Sequence, residues 1–141
     1  MSEENERRRF EPEATAHTAP FWDATRERRL VIQWCPSCDA PVWFPRETCP
    51  RCLGRDHEWR DASGAGVVDA VTVMHRPGFP AMAPMVPYTV AMIELTEGVR
   101  MMSNVVSCDP YDVEPGMAVR LVWEPLSDGR HLPVFEPAEG N

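Results

Sequence analysis

Two Cys-Pro-x-Cys pairs, Cys35-Pro-Ser-Cys38 and Cys49-Pro-Arg-Cys52, constrain this chain more than any other feature, with ten residues between them. The two-residue gap within each pair lets both sulfurs face one point, with backbone amides nearby to hydrogen-bond the thiolates. A hairpin between the pairs brings the two knuckles together, so that four thiolates surround one metal ion tetrahedrally at about 2.3 Å. Binding at such sites supplies on the order of 10–16 kcal/mol of apparent free energy. A segment of roughly thirty residues cannot bury enough apolar surface to fold alone, so the metal replaces a core. Cys35, Cys38, Cys49 and Cys52 are therefore assigned to one structural zinc ion. Iron would use the same ligands, but nothing else in the chain suggests a redox partner. A closed four-sulfur shell leaves no open position for water or substrate, which gives the metal no catalytic role. His57, five residues past Cys52, is expected to be solvated rather than a competing ligand.

That reading needs reduced thiols. No apolar run approaches the roughly 20 residues that cross a bilayer, and the opening MSEENERRRF lacks the apolar stretch of a secretion signal. A cytoplasmic protein is expected, where paired cysteines point to metal rather than disulfides. The formal charge is −8, and all basic residues are arginines. Such an acidic balance speaks against general attraction to nucleic acid phosphates.

Fifteen prolines and eight glycines in 141 residues interrupt long helices and favour short strands, which predicts a mostly β fold. Residues 1–19 are charged and read as a loosely ordered tail. Residues 20–29 predict a short helix, with Pro20 at its start and arginines at its end to complement the dipole. Phe21 and Trp22 on its first turn either anchor the helix to the body or dock onto another protein. Residues 30–60 form the cysteine module, with a strand over 30–34 and its return over 42–44. Residues 61–137 predict five strands, at 67–75, 88–95, 99–106, 118–123 and 132–135, with a tight hairpin at Glu97-Gly98. Strands this short must curl to protect their edges. A five-stranded Greek-key barrel of the OB type is one economical answer and an open sandwich is the other. Residues 138–141 are a short tail.

No Gly-x-Ser-x-Gly, Walker loop or recognisable acid/base pair is present, so no catalytic residue is assigned. Cys108 reads as a quiet thiol at a strand end. The segment 76–87 is apolar although it joins two strands; it either folds over the barrel mouth or offers a binding surface. Phe79, Met82 and Met85 within it, together with Phe21 and Trp22, are the expected partner contacts.

The order of these features resembles the acyl-CoA-associated family that combines a rubredoxin-like zinc ribbon with an OB fold. The similarity runs from Phe21-Trp22 through Leu30-Val-Ile-Gln-Trp-Cys35 and the cysteine hairpin to Gly64-Ala-Gly66, Val86-Pro-Tyr88, Glu94-Leu-Thr-Glu-Gly98 and Leu132-Pro-Val-Phe135-Glu-Pro137. The resemblance implies a non-catalytic subunit that docks on a thiolase-like enzyme, a lipid-transfer-type aldolase or an acyltransferase acting on acyl-CoA, in pathways such as steroid or lipid degradation. It implies docking through the ribbon and helix, with the barrel close to the partner's active site and helping to contain the acyl-CoA. Only the four cysteines carry over as site residues. One departure stands out: a glycine often follows the second cysteine of each knuckle, whereas here Asp39 follows Cys38 and Leu53 precedes Gly54. Asp tolerates the left-handed backbone such a turn requires, and a slightly reshaped second knuckle is expected. The alternatives are a single-stranded nucleic acid binder, disfavoured by the scattered arginines, and an autonomous enzyme or electron carrier, disfavoured by the closed sulfur shell.

Overall fold

The computed structural model describes residues 11–78 and 80–138. Its elements run in the order α1 (Ala19–Arg26), β1 (Val31–Cys35), β2 (Ala40–Val42), β3 (Glu58–Asp61), β4 (Ala65–Met74), a 3₁₀ turn (Pro80–Met85), β5 (Tyr88–Leu95), β6 (Arg100–Ser103), a second 3₁₀ turn (Pro110–Asp112), β7 (Ala118–Pro125) and β8 (His131–Pro137). The strands form a three-stranded antiparallel sheet ordered β2-β1-β3 and a five-stranded sheet ordered β6-β5-β4-β7-β8.

The five-stranded sheet curls until its two edges meet. Residues 104–106 leave β5 and cross to β8, where Val105 pairs with Phe135 in parallel. Phe135 N–H donates to Asn104 O at 3.0 Å, and Val106 N–H donates to Phe135 O at 2.7 Å. The Ser103 hydroxyl adds a bond to Pro133 O at 2.9 Å. Thr89 holds the crossing segment from behind: its Oγ1 donates to Val105 O and accepts from Val105 N–H. An open sandwich is thereby ruled out, and the expected strand 99–106 ends at Ser103 because the chain changes partner there. The hairpin at Glu97-Gly98 forms as expected, with Gly98 at φ 98° and its N–H bonded to Leu95 O.

One core runs through all three parts. Phe21 from α1, Leu30 and Ile32 from the entry to the small sheet, and Val68, Ile93, Leu95, Val119 and Phe135 from the barrel pack in a single buried cluster. The helix is fixed by more than Phe21. Thr25 is fully buried, its hydroxyl donating to Trp22 O at 2.6 Å and accepting from His131 N–H at 3.2 Å. His131 Nδ1 donates in turn to Thr25 O at 2.8 Å, which pins α1 to β8. Arg28 N–H and Arg29 N–H return to Thr25 O and Ala24 O, closing the helix end with Arg28 in the left-handed region at φ 56°.

Two local expectations need correction. The return strand of the small sheet is Ala40–Val42 rather than 42–44, because pairing with β1 begins immediately after the knuckle, Cys35 opposite Ala40. β3 was not expected at all: Glu-Trp-Arg-Asp has no apolar alternation, and only its register with Val31–Trp34 makes it a strand. Of the tail expected over 1–19, residues 1–10 lie outside the described residues. Glu11 is held, its carboxylate accepting from the Ser127 hydroxyl and backbone N–H.

Gly66 in β4 pairs with Leu95 of β5 and Val119 of β7. A Cβ there would stand 2.8 Å from Ile93 Cγ2 and 2.9 Å from the backbone oxygen of Glu94. Because that oxygen belongs to a paired strand, Gly66→Ala is expected to destabilise the barrel by about 1–3 kcal/mol. Phe135→Ala, which empties the centre of the core, should cost about 3–5 kcal/mol. Urea denaturation followed by tryptophan fluorescence measures both; a loss below about 0.5 kcal/mol for either would contradict this packing.

Candidate metal centre and apolar cleft

The knuckles meet as the spacing requires. Cys35 closes β1, Cys38 ends the first turn, and Cys49 and Cys52 bound the second; the four sulfurs all lie within 4.8 Å of one another. Cys35 and Cys52 sulfurs are 3.7 Å apart, and those of Cys38 and Cys49 are 3.9 Å apart. The edge of a tetrahedron with metal–sulfur bonds of about 2.3 Å is about 3.8 Å, so the donor set fits zinc. Disulfides would need sulfurs at about 2.05 Å. His57 lies outside this group. It is not simply solvated, since its Nε2 is 3.0 Å from Glu47 O and braces the second knuckle's approach.

The turns themselves show how the missing glycines are managed. Asp39 and Leu53 each occupy the left-handed region, at φ 49° and 61°. The second knuckle is therefore not reshaped toward Gly54; Leu53 takes the glycine conformation itself. Its N–H donates to Cys49 O at 2.8 Å, and Cys49 N–H donates to Gly54 O at 2.9 Å. Gly54 N–H points to Cys52 sulfur at 3.4 Å. Leu53 is 73% exposed, so its side chain finds room although its backbone is costly. Gln33 was not singled out in the sequence, yet it positions this turn. Buried in β1, its amide accepts from Arg46 N–H at 2.8 Å and donates to Arg46 O at 2.9 Å.

The metal-free thiols differ sharply. Backbone N–H groups of Cys52 and Arg51 stabilise the Cys49 thiolate and lower its pKa to about 6. The Cys38 thiol is pushed up to about 12, chiefly by its hydrogen bond with Cys52 and then by burial and the other sulfurs. Zinc must therefore displace at least the Cys38 proton at neutral pH. Cys108 stands apart, half-buried, its pKa raised by burial and by the carboxylates of Asp112 and Asp109, as a quiet thiol should be.

Between helix, ribbon and barrel lies a cleft of about 570 Å³. The helix contributes Phe21 and Trp22, the loop after β2 contributes Trp43, Phe44 and Pro45, and the barrel contributes Met74, Val90, Met101, Met102 and Leu132. The aromatic rings form a continuous run, Trp22 to Phe21 at 5.0 Å, Phe21 to Trp43 at 5.8 Å, and Trp43 to Phe44 at 5.5 Å. Phe44 and Met102 are 61% and 62% exposed, unusual for large apolar side chains. Of the residues expected to meet a partner, Phe21 and Met82 are buried within the chain, while Trp22 and Met85 remain half-buried. Trp22 and Met82 line the cleft; Phe79 lies outside the described residues. Phe44 and Met102 went unnoticed because neither stands in a motif.

Cys49→Ser is expected to abolish stoichiometric zinc, measured by atomic emission on the purified protein, and to leave the ribbon open to protease. Retention of one zinc per chain would contradict the four-sulfur site. Zinc affinity should fall on acidification, because protons compete with the metal for the thiolates, the Cys38 sulfur holding its proton most firmly of the two that shift. Zinc transfer to a chromophoric chelator, followed against pH, tests this; faster transfer at higher pH would contradict it.

Comparison with known proteins agrees with this anatomy. Residues 22–58 match the rubredoxin-like zinc ribbon domain of ChsH2, and residues 59–124 match the ChsH2 C-terminal OB-fold domain. The chain is 42% identical over 119 residues to a probable enoyl-CoA hydratase alpha subunit of Thermomonospora curvata, covering 84% of this chain but only 37% of that relative. It is 36% identical over 115 residues to a DUF35 domain-containing scaffold protein of Methanocaldococcus jannaschii, covering 76% of this chain and 77% of the relative. Among solved structures it is similar to a chain of the Ltp2-ChsH2(DUF35) aldolase, with a TM-score of 0.81 and 38% identity, covering 90% of this chain and 98% of that one. With ribbon and barrel both matched, and the archaeal scaffold protein and the aldolase chain covered along most of their length, this chain belongs to the DUF35 family.

Proposed function

We propose that this protein is a non-catalytic accessory subunit that docks on a thiolase-like or lipid-transfer-type aldolase or acyltransferase and helps to position or contain its acyl-CoA substrate. The observation that carries the reading is the likeness to a chain of the Ltp2-ChsH2(DUF35) aldolase, which extends over 98% of that chain. The scaffold name of the archaeal relative and the CoA ester named for the hydratase relative point the same way.

The chemistry of the chain supports an accessory role. The zinc ligand set is closed by four sulfurs and serves the ribbon's fold. The cleft holds few polar side chains, and most of these are already engaged. The Ser103 hydroxyl bonds Pro133 O, the Asn104 amide bonds Thr89 O, and the Thr18 hydroxyl bonds Thr15. On this reading the acid or base that acts on the thioester belongs to the partner subunit. The exposed Phe44 and Met102 and the half-buried Trp22 and Met85 give a partner apolar surface to cover.

The expected outcome of a tagged pull-down from the source lysate, with mass spectrometry of what stays bound, is near-equimolar recovery of one thiolase-like or aldolase subunit. Recovery of nucleic acid in its place, or of no such enzyme from a lysate shown to contain one, would overturn the accessory reading.

A further inference from the structure

The four sulfur ligands of the ribbon are not equally sheltered. Cys35 and Cys49 are 1% and 0% exposed and Cys38 is half-buried, whereas Cys52 is exposed. Arg51 and Leu53 on either side of Cys52 are exposed as well, so its neighbours in the chain give it no cover. A small oxidant arriving from water therefore meets Cys52 first, and reactivity toward oxidants follows thiolate character and exposure. Across the two knuckles, Cys35 sulfur lies 3.7 Å from Cys52 sulfur. Buried at the end of β1, Cys35 is closed to solvent but within reach of its neighbour. The two sulfurs need to approach by only roughly 1.7 Å to reach the disulfide length of about 2.05 Å.

We propose that Cys52 is a site of oxidation by hydrogen peroxide and that Cys35 resolves it, so that a cross-knuckle disulfide takes over the metal's hold on the ribbon. In the first step the Cys52 thiolate attacks one peroxide oxygen. The O–O bond breaks, Cys52 becomes a sulfenic acid, and the departing hydroxide takes a proton from solvent to form water. In the second step the Cys35 thiolate attacks the Cys52 sulfur. The S–S bond forms, the S–O bond breaks, and the hydroxide released is protonated to a second water. Two electrons pass from the sulfurs to the peroxide, which is reduced to two waters. Only Cys38 and Cys49 then remain as thiolate ligands, too few for a structural zinc site, and the chain releases the metal.

The loop that this disulfide closes, residues 36–51, contains β2 together with Trp43, Phe44 and Pro45. Gln33 holds Arg46 in the same loop by two hydrogen bonds that need no metal. The oxidised ribbon thus stays tied to β1 after the metal has gone, and reduction returns four thiols to their places. This device belongs to the ribbon alone and does not depend on the accessory role.

The test treats the zinc-loaded full chain with hydrogen peroxide while a chromophoric chelator reports zinc and a thiol reagent reports free sulfhydryls. About one zinc released for each two thiols lost is expected, with zinc taken up again after treatment with a thiol reductant. Trypsin then locates the bond, because arginines separate the ligands: residues 30–46 hold Cys35 and Cys38, residues 47–51 hold Cys49, and residues 52–55 hold Cys52. The expected product is peptide 52–55 joined to peptide 30–46, with fragmentation placing the link at Cys35. Cys52→His keeps a ligand in the fourth place, since three sulfurs and one histidine also make a structural zinc site. Loaded with zinc, this variant should release it severalfold more slowly under peroxide, and the peptide map of the unaltered chain stands whether or not the variant loads. A link within one knuckle, Cys35 to Cys38 or Cys49 to Cys52, would overturn the proposal, as would zinc release with no disulfide. So would zinc retained at peroxide levels that already oxidise Cys108, which lies outside the sulfur cluster, or release from zinc-loaded Cys52→His at an unchanged rate.

Discussion

Four cysteine sulfurs held within 4.8 Å of one another govern more of this molecule than the ribbon that contains them. The small sheet has three short strands; β1 is buried against the main core, but β2 is short and most β3 positions are exposed, so burial does little to hold the knuckles themselves. The metal closes the loop between β2 and the second knuckle, and this loop carries Trp43, Phe44 and Pro45 into the cleft. Gln33 then clamps Arg46 from β1, fixing the point at which the loop turns away. Without that closure the cleft would lose one of its three walls, although none of the cysteines touches it.

The ribbon is joined to the barrel by continuous packing. Leu30 and Ile32 share a core with Ile93, Val119 and Phe135, and α1 enters the same core through Phe21 while Thr25 exchanges hydrogen bonds with His131. A partner that grips the helix or ribbon therefore also fixes the barrel. Under the proposed accessory role this rigidity would serve a purpose, since a wall that contained a substrate would have to keep its distance from another subunit's reacting groups.

The metal site was legible because tetrahedral sulfur ligation demands a spacing that few other uses of cysteine share. Most of the barrel was legible too, since Tyr88–Leu95 alternates cleanly and ends at a glycine turn. β3 was not, because a charged Glu-Trp-Arg-Asp segment becomes a strand only through its neighbour's register. Nor was the parallel contact of Val105 with Phe135, a pairing between distant residues that no local pattern encodes. The cleft was hidden for the same reason: Trp22, Trp43, Met74, Met102 and Leu132 are scattered along the chain and acquire a common role only after folding. Phe21, read from sequence either as an anchor or as a partner contact, and Met82, read either as part of a covering loop or as a contact, are both buried where they line the cleft.

The most direct test of the account is turnover of an acyl-CoA by the partner enzyme subunit alone, by this chain alone, and by the two together at equal concentration. The account predicts no turnover by this chain, weak or no turnover by the partner alone, and full activity only when they are combined. Turnover by the isolated chain, or a partner equally active without it, would contradict the accessory role.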